Sequence, residues 1–376
     1  IVEKTIAYEE RAGFGTWRRR LNFVAGVGGF GLVTDLVLES SVRFFLTQQI
    51  PASYAVSMTY GSWRSPYCPD PRLFHHTTFQ RLSEGCLFWI YIGHGLPHCL
   101  DRISVPDADF PILSVADARR LDAVDHPPIA LMLACYTGAM DAHEDCLAEE
   151  MLRAEGGPVA VLAGSRVTMP YAMAVLASGL LDQCFDRKCC TLGEAFLNAK
   201  RAMANETQDG NELRSVLDTL AAAISPAPSK LAAERAEHLL LFNLFGDPLL
   251  RLSAAESVDL EVGSSAKSGD VLPVAGSCRV DGRAIVELVV RRDRLAFRPL
   301  PRPAYPRTSG ELARFQEVYE RANDPRLAWL ETPVKNGQFE AKLAIPPGIE
   351  GPCNVRVFVE GESGFALGAA DIVVEN

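Results

Sequence analysis

Two short stretches constrain this chain more than any others: Phe88-Trp89-Ile90-Tyr91-Ile92-Gly93-His94-Gly95 and Ile129-Ala130-Leu131-Met132-Leu133-Ala134-Cys135-Tyr136-Thr137-Gly138. Each is an unbroken apolar run that stops abruptly at a reactive side chain close to glycine. Runs of this length and composition read as parallel strands buried on both faces. In an open α/β sheet the chemistry gathers outside the carboxyl ends of the strands. The sequence therefore predicts one histidine and one cysteine at the same rim of one sheet. A thiol nucleophile and its base need that arrangement. Forty-one residues separate His94 from Cys135, room for one helical crossover between parallel strands.

The flanking pattern supports such a sheet. Strands are predicted at 20–25, 54–60 and 158–163, and helices at 1–11, 30–48, 77–85, 115–123, 145–155, 172–185, 192–205 and 211–223. Alternation of this kind from 21 to 205 predicts a mostly parallel sheet with helices on both faces. Past Leu252 the character changes to short alternating strands at 258–262, 283–290, 338–345, 354–360 and 370–374, which read as an all-β sandwich. A proline-rich arm and a helix at 310–322 interrupt it between 295 and 330. Two domains are expected, 1–253 and 254–376. Ile1 falls inside a predicted helix, so the first domain is expected to be N-terminally incomplete.

Composition removes several function classes. The 37 Lys and Arg against 47 Asp and Glu leave a net charge of −10, which argues against a nucleic-acid footprint. No run reaches the roughly 20 apolar residues of a membrane span. The ten cysteines are scattered through strands and helices rather than set in a disulfide framework. Cys184, Cys189 and Cys190 cluster, but their spacing fits neither half of a paired C-x-x-C zinc site. His75-His76 lacks a Cys or carboxylate at matching spacing and reads as a helix-end pair. Neither a metal nor a cofactor is expected.

Gly26-Val27-Gly28-Gly29-Phe30-Gly31 matches the dinucleotide fingerprint G-x-G-x-x-G after a strand and before a helix. That fingerprint also wants an acid about 20 residues on, holding the ribose. Between Glu39 and Asp70 there is no Asp or Glu, although Arg64 would suit a 2′-phosphate. A tight strand-to-helix turn is the preferred reading.

At the two reactive ends, local chemistry raises the case above its ordinary alternatives. A lone histidine is commonly a hydrogen-bonded structural residue, and a free cysteine is commonly buried. His94, however, has glycine on both sides, which permits close backbone approach and leaves the Gly95 N–H to donate. Cys135 sits at a strand exit before a polar turn.

These two motifs, Tyr91-Ile92-Gly93-His94-Gly95 and Leu133-Ala134-Cys135-Tyr136-Thr137-Gly138, resemble those of the gingipain-type cysteine peptidases, relatives of the caspases. The resemblance extends to Lys4-Thr5-Ile6-Ala7-Tyr8-Glu9 with Trp17, to Glu149-Glu150-Met151-Leu152 and the Gly156 to Arg166 stretch, to Leu192-Gly193-Glu194-Ala195-Phe196, and to Asn243-Leu244-Phe245-Gly246-Asp247-Pro248. It implies a caspase-like α/β fold over 1–253, followed by a small immunoglobulin-like β domain. It implies Cys135 as nucleophile, His94 as its acid–base partner, and the backbone N–H groups of Gly95 and Cys135 as an oxyanion hole. Ser165 to Tyr171 would line the pocket for the residue before the scissile bond. The substrate would be a peptide or protein, and the setting extracellular or at the cell surface.

Two features depart from or extend that pattern. Leu96-Pro97-His98 follows His-Gly where a small polar residue is expected. Asp70 is a candidate for substrate binding because acids are scarce after the second strand, although a solvated loop aspartate is the preferred reading. The alternatives are a CHAT-like caspase-fold protease, matched by the Ala134 to Gly138 wording, a non-catalytic binding module, and an NAD(P)-binding protein.

Overall fold

The computed structural model describes residues 1–10, 15–27, 49–105, 108–205, 212–225, 227–302, 305, 308–362 and 364–376. The helix expected at 30–48 and the last glycines of the Gly26 motif lie outside them. Six strands build the central sheet: β1 (Arg20–Ala25), β2 (Ala55–Tyr60), β3 (Phe88–Ile92), β4 (Ile129–Leu133), β5 (Ala160–Gly164) and β6 (Phe242–Phe245). Their order is β6-β5-β4-β3-β1-β2. The first five pair in parallel, and β6 runs antiparallel along the β5 edge. This is the mostly parallel, helix-flanked α/β architecture that the alternation predicts.

The unbroken apolar runs have a plain cause. Successive strand residues point to opposite faces, so a sheet covered on both sides needs apolar residues at every position. Phe88, Ile90 and Ile92 of β3 join the core under helices Pro170–Phe185 and Leu192–Ala204. Trp89 and Tyr91 join the opposite core, with Phe74, Leu82, Leu147 and Met151 from helices Phe74–Ser83 and Leu147–Arg153. All five residues of β3 and all five of β4 are buried.

Element ends differ from the sequence expectations for local reasons. Helix Val115–Ala118 stops well short of 123. The helix expected at 145–155 runs Leu147–Arg153, capped by Cys146, whose N–H bonds Glu149 Oε2 at 2.9 Å, while Asp145 pairs with Arg153. Helix Leu231–Leu241 and strand β6 have no counterpart in the sequence reading.

After Glu256 the chain forms two β sheets that pack as a sandwich. The larger carries Gly364–Glu375, Gly351–Gly361, Gly282–Val290 and Arg326–Val334, and the smaller Asp259–Val262, Val271–Ser277 and Gln338–Ala344. The interruption ends earlier than 330, because Arg326–Val334 is itself a strand of the larger sheet. Its helix, Ser309–Ala322, returns to the α/β unit. The Asn323 side chain there accepts the Met58 N–H at 2.7 Å and donates to the Met58 carbonyl at 3.0 Å. The exposed edge of β2 thus meets an amide that mimics a neighbouring strand, one way edges are kept from pairing elsewhere. Tyr319 Oη and Thr59 Oγ1 lie 2.9 Å apart beside it.

A buried triad ties the two parts together. Glu287 accepts from Arg19 Nη1 and Nη2 at 3.0 and 3.1 Å, and from Arg356 Nε at 2.8 Å. Burial alone would raise the Glu287 carboxyl, but Arg356 and Arg19 outweigh it and hold it below the ordinary glutamate range. A folded-state pKa below the unfolded value makes this contribution present above about pH 4.5 and lost as pH falls through the folded-state value. Glu287→Gln leaves two buried guanidiniums without a counter-charge. It is expected to destabilise the protein by about 3–5 kcal/mol in urea unfolding at pH 7 and to flatten the acid limb of stability. Wild-type stability in the Gln variant would contradict this.

Candidate active site

The site begins with strand register. Ile92 of β3 pairs with Leu133 of β4, and the Gly93 N–H donates to the Leu133 carbonyl at 3.3 Å. The chains leaving the two strands therefore start side by side. At Gly95 they touch: a methyl group there would lie 2.6 Å from the Cys135 carbonyl oxygen, 2.7 Å from Thr137 Cγ2 and 2.9 Å from Ala134 Cβ. Only glycine admits this approach. His94 and Cys135 are both partly exposed, directly beyond strands that are buried throughout.

The backbone of His94 is held from below. Tyr91, fully buried in β3, donates from Oη to the His94 carbonyl at 2.7 Å and accepts the Asp101 N–H at 3.2 Å. Burial pushes its phenol well above the ordinary range, so it remains a neutral donor. Gly93 leaves room for that hydroxyl, which would stand 2.5 Å from a methyl at this position.

Cys135 opens a turn stitched to the exit of β5. The Tyr136 N–H bonds the Arg166 carbonyl at 3.1 Å, and the Gly138 N–H bonds the Gly164 carbonyl at 2.9 Å. Tyr136 itself adopts φ 59°, a region non-glycine residues enter rarely and at a cost of about 1–3 kcal/mol. The Cys135 sulfur faces Thr168: the Thr168 N–H lies 3.3 Å and its Oγ1 3.6 Å away. Outside, Arg166 Nη2 pairs with Asp141 Oδ2 at 2.5 Å, and the Arg166 guanidinium lowers the Asp141 carboxyl.

The remaining candidates are placed differently from one another. Ser165 Oγ and its N–H both bond the Leu241 carbonyl, at 3.0 and 2.9 Å, which pins the β5 exit to β6. Tyr171 is buried, its hydroxyl 2.6 Å from Asp218 Oδ1 and accepting from Arg235 Nη1 at 2.7 Å. Asp70 is not a solvated loop aspartate. It is 3% exposed, accepts the Arg72 N–H at the start of a 3₁₀ turn, and pairs with the Arg72 guanidinium at 2.5 Å. The single-turn context and a partner two residues away explain this burial without a ligand.

The helix-end histidine and the glycine turn also have structural partners. His75 lies 3.0 Å from the Pro111 carbonyl and 3.2 Å from Asp117 Oδ1. Among the described residues no cluster of three His, Cys, Asp or Glu is placed to hold a metal. In the glycine turn the Val27 N–H donates to Asp101 Oδ2 at 3.1 Å. A carboxylate thus takes the donor that a dinucleotide phosphate would need. Arg64 lies over the Trp63 ring at 4.7 Å instead of standing free for a 2′-phosphate.

The sequence model of peptidase family C25 matches residues 1–253. The chain belongs to peptidase family C25. It is accordingly a cysteine-type peptidase, a hydrolase acting on protein substrates, and the gingipain resemblance of its His-Gly and Ala-Cys motifs is one of family membership. No curated protein matches the chain. Among solved structures, one titled "Structure of Protease" is 14% identical at a TM-score of 0.47, covering 99% of this chain and 71% of its own. The native form of E. coli alpha-2-macroglobulin is 13% identical at a TM-score of 0.25, covering 36% of this chain and 11% of its own. No argument rests on likenesses this distant. Among the described residues of this C25 chain no helix is long and apolar enough to cross a membrane.

Two family stretches meet in space and close the domain. Gly193 of the Leu192-Gly193-Glu194 stretch donates its N–H to the Pro248 carbonyl at 2.8 Å, and a methyl there would lie 2.5 Å from that oxygen. Thr168 and Met169 fall within the Ser165 to Tyr171 stretch that the resemblance marks as pocket-lining, whereas His238 carries no sequence signal. Pro170 then starts the helix that follows β5.

The contact at Gly95 makes a direct prediction. Gly95→Ala is expected to force the two strand exits apart, lowering stability by about 1–3 kcal/mol and peptide cleavage by about 100-fold. Urea unfolding and steady-state cleavage rates check it; an Ala variant with wild-type rate would show that the exits need not touch.

Proposed function

We propose that this family C25 chain is an endopeptidase that works through a Cys135–His94 dyad and a thioester intermediate. The observation that supports the reading is that both residues follow neighbouring parallel strands whose backbones approach one another at Gly95. In this reading the Cys135 thiolate attacks the scissile carbonyl carbon, and the carbonyl electrons move onto oxygen. The N–H groups of Gly95 and Cys135 receive that oxyanion; removing one such donor costs typically about 3 kcal/mol of transition-state stabilisation. Collapse breaks the C–N bond, and the His94 imidazolium gives its proton to the departing amine. Water, deprotonated by the neutral imidazole, then attacks the thioester and returns the thiol with release of the acid.

Substrate selection is assigned to the walls of the same rim. The 165–171 segment lies on the sulfur side of Cys135 through Thr168, which supports a role beside the residue preceding the scissile bond. Ser165 and Tyr171 have their hydroxyls occupied by Leu241, Asp218 and Arg235, so backbone groups and Thr168 are the better-placed parts of that segment. Asp70, bound to Arg72, is a poor partner for a basic substrate side chain.

The reading is tested on a mixed fluorogenic peptide library. Cys135→Ala is expected to abolish cleavage, and His94→Ala to lower kcat/KM by about 10²–10⁴-fold. Cleavage at wild-type rate by the Cys135 variant would sink the proposal.

A further inference from the structure

The segment that faces the Cys135 sulfur is itself gripped from behind by one buried histidine. His238, on helix Leu231–Leu241, is fully buried. The Met169 N–H donates to its Nε2 at 2.7 Å, and its Nδ1 lies 2.7 Å from the Glu234 carbonyl oxygen. A carbonyl only accepts, so Nδ1 carries the proton and Nε2 is a bare acceptor: the imidazole is neutral, with its tautomer set by these partners. Burial lowers its pKa against the opposing pull of the Glu234 backbone bond and Glu237, consistent with a ring kept neutral. Phe242 stacks on the ring at 6.3 Å. One turn earlier on the same helix, the Glu234 carboxylate accepts the Ala172 N–H at 3.1 Å. The helix therefore holds both Met169 and Ala172, on either side of Pro170.

Thr168 precedes Met169 directly. Its N–H reaches the Cys135 sulfur at 3.3 Å and its carbonyl oxygen lies 3.7 Å from that sulfur, while its hydroxyl, 3.6 Å away, is closer to Met173 Sδ at 3.2 Å. The N–H is the nearer of the two backbone groups, and a donor aimed at a sulfur favours the thiolate over the thiol. A displaced Thr168–Met169 peptide would withdraw it.

We infer that His238 is a positioning residue for the nucleophile: by accepting the Met169 N–H at Nε2, it holds the Thr168 N–H against the Cys135 sulfur and so sustains its thiolate. The inference deepens the proposed dyad reading, yet its readout needs no substrate. His238 touches no reacting atom and acts only through Met169 and Thr168.

The test follows Cys135 alkylation by iodoacetamide across pH 5 to 10, quantified on the Cys135 peptide by mass spectrometry. Three variants separate the role of Nε2 from that of bulk. His238→Phe keeps a ring for Phe242 but offers no acceptor. His238→Asn reaches the Glu234 carbonyl at the Nδ1 position but not the Met169 N–H. His238→Gln presents an amide at the Nε2 position. The Phe and Asn variants are expected to move the alkylation midpoint upward by about one pH unit, with Gln returning toward wild type. Thermal unfolding identifies variants that keep a cooperative fold, and the midpoint is read from those. An unshifted midpoint in folded Phe or Asn protein, or a shift in Gln as large as theirs, overturns the inference. Failure of the dyad reading is seen separately, as peptide cleavage that survives Cys135→Ala.

Discussion

The parallel pairing of β3 with β4 is the contact on which the site depends. With Ile92 opposite Leu133, His94 and Cys135 emerge together, and Gly95 lets the two emerging chains meet with 2.6 Å between a hypothetical methyl and the Cys135 carbonyl. A one-residue slip would turn every side chain of one strand to the opposite face. The cost would fall on both cores at once, because β3 supplies Phe88, Ile90 and Ile92 to one and Trp89 and Tyr91 to the other. Packing on two faces thus specifies the register, and the register brings His94 and Cys135 out at one rim. Tyr91 links the two roles, since its ring belongs to the core while its hydroxyl holds the His94 carbonyl.

The β sandwich supports this sheet from its far edge. Asn323 pairs with the backbone of β2, Arg292 donates to the carbonyls of Ile50, Pro51 and Tyr54, and Glu287 neutralises Arg19 and Arg356 between the two parts. β2 lies beyond β1 from β3 and β4, so these contacts stabilise the sheet without touching Cys135. Buried charges of this kind contribute little net stability over apolar packing, yet removing one partner is severe. They fix how the two parts dock.

Much of this was legible because it rests on local pattern. The apolar runs of β3 and β4, the glycines beside His94, and the strand–helix alternation are short-range signals, and the family resemblance drew on the same residues. What escaped depends on distant or polar pairing. Arg19 and Glu287 are 268 positions apart, and neither spacing nor composition joins them. Helix Leu231–Leu241 was passed over because its buried residues are Leu231, Arg235 and His238 while Leu240 is 79% exposed, so its apolar periodicity is inverted. Its polar face binds Tyr171, Met169 and Ala172, a task that hydrophobic patterning does not reveal. Asp70 misled for a related reason: a charged residue in a turn-rich stretch reads as solvated, whereas Arg72 two positions on supplies the partner that allows its burial.

Under the proposed mechanism Cys135 forms a covalent acyl intermediate at the rim where β3 and β4 end. Its formation is tested most directly by acid-quenching the protein milliseconds after mixing with a cleavable peptide ester and locating the acyl mass on the digested chain. A transient acyl adduct on the Cys135 peptide, lost on longer incubation and labile to hydroxylamine, is the predicted result. Turnover with the acyl group on another residue, or with no acyl-enzyme at any quench time while a pre-steady-state burst is present, would contradict it.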